Sequence, residues 1–203
     1  NDWIKTYNIP NNVEKAIELI HQKKTILQDI GVANTGNSNV SYFNNVAGLG
    51  YDGYIVHKLK TLKHFGSIAY LLSGLAGLFF YKKTVFKINF NSKSIETNCL
   101  MTMVGVCKFS GGGMQFTKDV NTTDSLFDIT IFKNLNMFDL ISNIKKLYNG
   151  HIVHHKKVET YKTDLITVIS QASKPYIQAD GELIGVGKVT FKIISKAINF
   201  VIR

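Results

Sequence analysis

Proline and cysteine are scarce in this 203-residue chain, with two of each, and tryptophan occurs once. The two cysteines, Cys99 and Cys107, are too few for a disulfide framework and match no metal-ligand spacing. Both lie in apolar, strand-like runs, so reduced core thiols in a cytoplasmic setting are expected. Little proline beside 45% apolar and 11% aromatic residues excludes a collagenous, low-complexity or disordered chain. No apolar run is long enough to span a bilayer. The longest, Ile68 to Phe80, is uncharged over 13 residues, where about 20 are needed, so a buried or interfacial helix is expected there. A basic-then-apolar leader is also missing from the opening Asn1-Asp2-Trp3-Ile4-Lys5, which reads as text cut from a longer protein.

Acidic residues are few as well: 14 against 24 Lys and Arg, a net charge of +10. That balance points to an anionic partner, whether nucleic acid, nucleotide phosphates or a membrane surface. The lysines fall in short pairs (Lys23-Lys24, Lys82-Lys83, Lys145-Lys146, Lys156-Lys157), which a solvated surface explains one at a time.

Periodicity predicts a helix capped by Asn11 or Asn12, with Val13, Ala16, Ile17 and Ile20 at helical spacing. A hairpin over residues 25–46 follows, turning in Asn34 to Ser38. Gly48 and Gly50 read as a break, followed by a helix from about Tyr51 to Lys60 and an apolar helix from Gly66 to about Tyr81. Strands are expected at Val85–Phe90, in two pieces between Ile95 and Val106, and at Phe127–Phe132, with a loop at Ser110–Met114. Asn136–Leu147 has the spacing of one helix. The tail returns to strands at Leu165–Ser170, Tyr176–Gln178, Glu182–Ile184 and Val189–Ile202. This is a mostly β (α+β) protein: an antiparallel β-sandwich-like or barrel domain with a few inserted helices.

Several groups of residues could carry chemistry. Gly111-Gly112-Gly113 could admit a phosphate to backbone N–H groups, but it departs from the P-loop pattern and strand text follows it, which favours a flexible connection. His151 and His154 share helical spacing, with His155 beside them, yet neighbouring lysines and the lack of an acidic ligand favour solvated histidines over zinc. Asp180-Gly181 is a two-residue hairpin signal of type I′. Asp180 and Glu182 could also converge on one proton or one metal. Since Asn-Gly is an equally good turn pair, Asp180→Asn is expected to leave stability nearly unchanged. Asp124 and Asp128 suit either an ordinary turn or a loop holding Mg²⁺ or Ca²⁺.

The order of these signals resembles the diacylglycerol kinase-like lipid kinase family. Gly111-Gly-Gly-Met-Gln-Phe-Thr-Lys-Asp-Val-Asn-Thr-Thr-Asp-Ser-Leu-Phe-Asp-Ile129 is similar to that family's G-G-G-M-x-I-x-P-x-A-x-x-x-D-G-x-L-D-V segment. Asp180-Gly-Glu182 sits where its D-G-E element does, and Ser41 to Asp52 looks like its F-x-N-x-x-x-x-G-x-D stretch. The opening Asn1-Asp2-Trp3-Ile4-Lys5 resembles the end of G-T-x-N-D-x-A-R. The chain would then be the C-terminal part of a two-domain lipid kinase. Residues 1–22 would close the nucleotide-binding α/β domain, 23–195 would form the β-sandwich-like domain, and 196–203 would be a terminal strand returning to the first.

The resemblance implies phosphoryl transfer from ATP, with Mg²⁺, to a lipid hydroxyl, a chain that is inactive by itself, and a protein docked peripherally on anionic membranes. It implies no nucleic-acid partner and leaves a homodimer open. Asp180 would be the general base and Glu182 its support, with Asp2 in the nucleotide–Mg²⁺ network. Asp124 would hold a structural Mg²⁺ with carbonyls at Phe127 and Ile129, while Asn45, Gly48, Gly50 and Asp52 would lie on the substrate side. Lys118, Val120 and Ser125 stand where the family has Pro, Ala and Gly. A positive φ at Ser125 would cost about 1 kcal/mol. Two other readings remain: a non-catalytic basic module for anionic lipid or a protein partner, and an NAD kinase-like relative with a soluble substrate. The apolar text from Gly66 to Tyr81 favours a lipid over a dinucleotide.

Overall fold

A computed structural model describes residues 2–36, 39–59, 77, 80–171 and 173–203. A one-turn helix, α1 (Trp3–Thr6), leads to α2 (Val13–Gln22). The Asn12 side chain caps α2 by accepting the Lys15 N–H at 2.9 Å, and Lys23, left-handed at φ 55°, ends it. The apolar positions Val13, Ile17 and Ile20 are exposed, and Leu19 is the residue that α2 buries.

The rest is mostly antiparallel sheet. In chain order the strands are β1 (Thr25–Asn34), β2 (Val40–Phe43), β3 (Val46–Gly50), β4 (Thr84–Phe90), β5 (Lys93–Gly105), β6 (Phe109–Ser110), β7 (Met114–Gln115) and β8 (Phe127–Lys133). Then come β9 (Val158–Thr163), β10 (Leu165–Ser170), β11 (Tyr176–Ala179), β12 (Glu182–Val186) and β13 (Val189–Val201). Helix α3 (Tyr51–Leu59) follows β3, while α4 (Met137–Ser142), α5 (Ile144–Tyr148) and a 3-10 turn (His151–His154) lie between β8 and β9. The strands run β12-β11-β3-β5-β4-β10-β13-β1-β2, with β8 joining β5 to β9.

Strand β5 makes this branching possible. Its first half pairs with β4, and residues 101–105 lie between β3 and β8. Leu49, Phe86, Ile88, Phe127, Ile129 and Phe191, drawn from four strands, meet in one buried core. A second cluster gathers Met103, Phe132, Leu135, Leu140, Leu147 and Ile152 beneath α4 and α5. The fold class expected from the sequence is therefore the one observed.

Four local expectations are corrected. Gly48 and Gly50 do not break the chain: they lie in β3, paired with Met103 and Met101 of β5. The two pieces expected between Ile95 and Val106 are a single strand, β5. The helix expected over 136–147 is two, because the Asn143 side chain donates to the Asp139 carbonyl at 2.7 Å and the chain breaks there. Strand β9 was not foreseen. The hairpin over 25–46, α3 and the loop at 110–114 agree with expectation. The apolar helix expected from Gly66 to Tyr81 falls almost wholly outside the described residues.

Asp29 is fully buried in β1 and holds the long β1–β13 ribbon at its irregular point. Its Oδ2 accepts the Ser125 N–H at 2.6 Å and its Oδ1 the Lys196 N–H at 2.7 Å. Both donors are left-handed, with φ 62° and 48°. The Ser125 hydroxyl also donates to Ser195 Oγ at 2.7 Å. The strain expected at Ser125 is thus present, with a buried carboxylate anchoring it.

Candidate active site around the β11–β12 hairpin

The site is built on a two-residue turn. Ala179 pairs with Glu182, and Asp180 and Gly181 both have positive φ, 50° and 83°. That is the type I′ pairing read from Asp-Gly. The turn presents the Asp180 carboxylate to the chain entering β3. Oδ2 accepts the Asn44 N–H at 2.8 Å, and Oδ1 accepts those of Asn45 and Val46 at 3.0 and 3.1 Å. The Asp180 N–H donates to the Val46 carbonyl at 3.0 Å. A carboxylate has about four lone-pair positions. Three are filled, and the open one is on Oδ2, beside a single donor. Loss of surrounding water pushes the Asp180 pKa upward, against the pull of the three N–H groups.

Asn45 adds a second tie, donating from Nδ2 to the Phe109 carbonyl at 3.0 Å, while its buried Oδ1 has no hydrogen-bond partner. Behind the turn, the Gln178 side-chain Oε1 accepts the Gly181 N–H at 2.9 Å, and its side-chain NH₂ donates to Asp52 Oδ2. Asp52 opens α3 and folds back over Gly48, where a Cβ would stand 2.3 Å from its Oδ2. At Gly50, φ is +94° and a Cβ would meet the Leu100 carbonyl at 2.7 Å. The structure therefore brings Asn45, Gly48, Gly50 and Asp52 together along β3 and the start of α3. Asp180 reaches the same strand from the β11 side, and Glu182 is exposed one residue past the turn.

Burial raises the Asp52 pKa to about 6, opposed by the Gln178 hydrogen bond. The ordinary value is 3.8, so between about pH 4 and 6 the folded state binds more protons than the unfolded state. Stability attributable to Asp52 falls as pH rises through that window. We expect Asp52→Asn, which can still accept from Gln178, to flatten the dependence of Tm on pH between 4 and 6 and to leave Tm at neutral pH equal or higher. A Tm profile that retains the wild-type slope would locate the titration elsewhere.

Asp2 lies on the glycine loop: its Oδ2 accepts the Gly112 N–H at 2.7 Å and its Oδ1 the Lys5 ammonium at 2.8 Å. Gly111, Gly112 and Gly113 all have positive φ. The α1 segment is tied towards the hairpin by Gln28, which sequence reasoning missed. Its Oε1 accepts from Trp3 Nε1 at 3.1 Å and from the Tyr7 hydroxyl, and its NH₂ donates to the Asn44 carbonyl at 2.7 Å. Cys107 packs on the same point, donating to the Asn44 carbonyl at 3.2 Å, with burial pushing its thiol up to about 12. Like Cys99 it is a buried free thiol. No helix among the described residues is long and apolar enough to cross a membrane.

Asp124, Phe127 and Ile129 form a separate group that does not fit a divalent ion. Asp124 Oδ2 accepts the Lys162 ammonium at 2.8 Å and its Oδ1 the Leu126 N–H at 3.1 Å. Lys162 also stands 3.5 Å from Asp128 Oδ2. Phe127 and Ile129 are buried in β8, in ladder pairing with Thr163 and Tyr161 of β9. Among the described residues no three His, Cys, Asp or Glu side chains could share a metal ion.

An antiparallel β domain with an acidic hairpin clamped to the entry of a neighbouring strand is the class of structure these observations define. The chain belongs to the family described as the YegS C-terminal NAD kinase beta sandwich-like domain, which it matches over residues 45–202. It is 26% identical over 191 residues to a diacylglycerol kinase of Bacillus subtilis, covering 90% of this chain and 59% of the relative. It is likewise 26% identical over 208 residues to a Shewanella frigidimarina protein named as a probable lipid kinase, YegS-like, covering 100% and 64%. The chain thus spans about six tenths of the length of these relatives. Among solved structures, a diacylglycerol kinase from Bacillus anthracis superposes with a TM-score of 0.69 at 17% identity, covering 100% of this chain and 63% of that one. A second structure from the same organism reaches 0.74 at 21% identity, covering 100% and 65%.

Proposed function

We propose that this chain is the lipid-facing half of an ATP-dependent lipid kinase, with a diacylglycerol-like alcohol as acceptor and Asp180 as general base. The observation that carries the reading is the Asp180 carboxylate, fixed by three backbone N–H groups with one lone pair of Oδ2 left open. A lipid hydroxyl donating to that lone pair would be held and polarised. As its oxygen bonds the γ-phosphorus of Mg²⁺-bound ATP, the bond to the β-phosphate oxygen breaks and ADP leaves. The hydroxyl proton passes to Asp180. In such transfers the protein mainly positions groups and compensates charge, and burial that raises the Asp180 pKa makes the carboxylate a better proton acceptor.

In this reading residues 1–22 belong to the edge of a nucleotide-binding domain that supplies the phosphate-cradling loop, 23–195 to the β-sandwich-like domain, and 196–203 to a strand returning to the first. Asp2 and Glu182 serve the nucleotide side of the cleft. The test is incubation of the full-length protein with γ-labelled ATP, diacylglycerol micelles and NAD together. Label in the organic phase supports the reading. Label confined to NAD would make the protein a kinase of a soluble acceptor, and no transfer would return it to a binding module.

The same reading includes reversible docking on anionic membranes. Phe138 and Ile141, at i and i+3 on α4, are 75% and 47% exposed. Lys145, Lys146 and Lys156 are exposed nearby in sequence. Each lysine near an anionic surface contributes about 1 kcal/mol, and salt screens that attraction. We expect co-sedimentation with phosphatidylglycerol vesicles that weakens with salt and falls several-fold in Phe138→Ser. Equal binding to neutral vesicles would remove the electrostatic part.

A further inference from the structure

The residues that resemblance assigns to a structural Mg²⁺ are held instead by a side chain. We propose that the Lys162 ammonium is a built-in cation at the β8–β9 corner, and that this corner folds without a divalent metal. Lys162 lies in β9, in register with Asp128 of β8. Its Nζ reaches Asp124 Oδ2 at 2.8 Å and Asp128 Oδ2 at 3.5 Å, so one ammonium faces two carboxylates, one in the loop before β8 and one within β8. The surroundings hold that lysine in place. Its carbonyl accepts from Asn91 Nδ2 at 2.8 Å, and Asn91 Oδ1 accepts the Thr163 hydroxyl at 2.7 Å. Asp128 is almost completely buried.

A buried carboxylate beside a second carboxylate requires a compensating positive charge. A divalent ion would seek six or more oxygen ligands. Here one Asp124 oxygen is used by the Leu126 N–H, and an ammonium already stands at the other. Ser125 fits the same account. A glycine would reach its positive φ without strain, but here the Ser125 N–H is anchored on Asp29 rather than on anything belonging to a metal loop. This inference does not depend on the kinase reading.

The test follows thermal unfolding of the full-length protein, without nucleotide, in EDTA and then with added Mg²⁺ or Ca²⁺. The wild type is expected to show the same Tm in all three. Lys162→Met should lower Tm in EDTA by about 3–8 °C. Asp128→Asn combined with Lys162→Met removes the buried negative charge together with the ammonium and should recover most of that loss. The wild-type arm stands even where Lys162→Met does not fold. A rise of several degrees with Mg²⁺ or Ca²⁺ that disappears in Asp124→Asn would overturn the proposal, as would a Lys162→Met protein as stable as wild type in EDTA.

Discussion

Asp180→Asn is expected to lower kcat for lipid phosphorylation by roughly 10²–10⁴-fold, the usual contribution of a positioned general base. An amide oxygen can accept a hydrogen bond from the lipid hydroxyl but cannot take its proton. The substitution also has a structural cost that the turn pattern does not reveal. Asn-Gly keeps a type I′ turn, which is why the sequence predicted nearly unchanged stability. The carboxylate, however, accepts three backbone N–H groups through both oxygens. An amide offers one oxygen and turns its NH₂ against at least one of those donors. Leaving a donor unpaired costs about 1–3 kcal/mol, so Tm should also fall by about 3–10 °C. Rates are therefore to be compared well below the melting temperature of the variant. Circular dichroism melts alongside initial rates separate the two effects: loss of stability with full activity would make Asp180 a turn staple only.

The largest effect on folding is expected at Asp29, which takes no part in the proposed chemistry. Asp29→Asn keeps the shape but cannot satisfy both the Ser125 and Lys196 N–H groups. Those donors belong to two left-handed residues whose conformations depend on the carboxylate between them. With the side chain fully buried, a loss of about 2–4 kcal/mol is expected, seen as a Tm lower by about 5–15 °C. Ser125→Gly in the same background should return part of it, since glycine removes the strain at that φ. An Asp29→Asn protein with wild-type Tm would mean that the ribbon is held by its ladder alone.

What the sequence disclosed and what it hid follow from the range of the interactions. Asp180-Gly181 was legible because a two-residue turn specifies its own φ values, and Asn12 because a cap acts three residues away. Asp29 was illegible because its partners lie 96 and 167 residues further along the chain. Strand β3 was misread for a similar reason. Its glycines look like breakers, but at Gly48 the missing side chain is the space that the Asp52 carboxylate fills. The helix over 136–147 had the right period throughout, and only the turn made by the Asn143 side chain divides it. The metal expected at Asp124 came from a motif, whereas the cation that meets it is supplied by β9, which was not foreseen.

Chemical rescue at the hairpin tests the proposed role of Asp180 most directly. Asp180→Gly keeps a permitted turn pair and opens a space lined by the N–H groups of Asn44, Asn45 and Val46, where formate can supply the missing carboxylate. The variant should be nearly inactive in chloride, and formate at equal ionic strength should raise its rate of lipid phosphorylation roughly tenfold or more. Wild-type turnover by Asp180→Gly without formate would contradict the account.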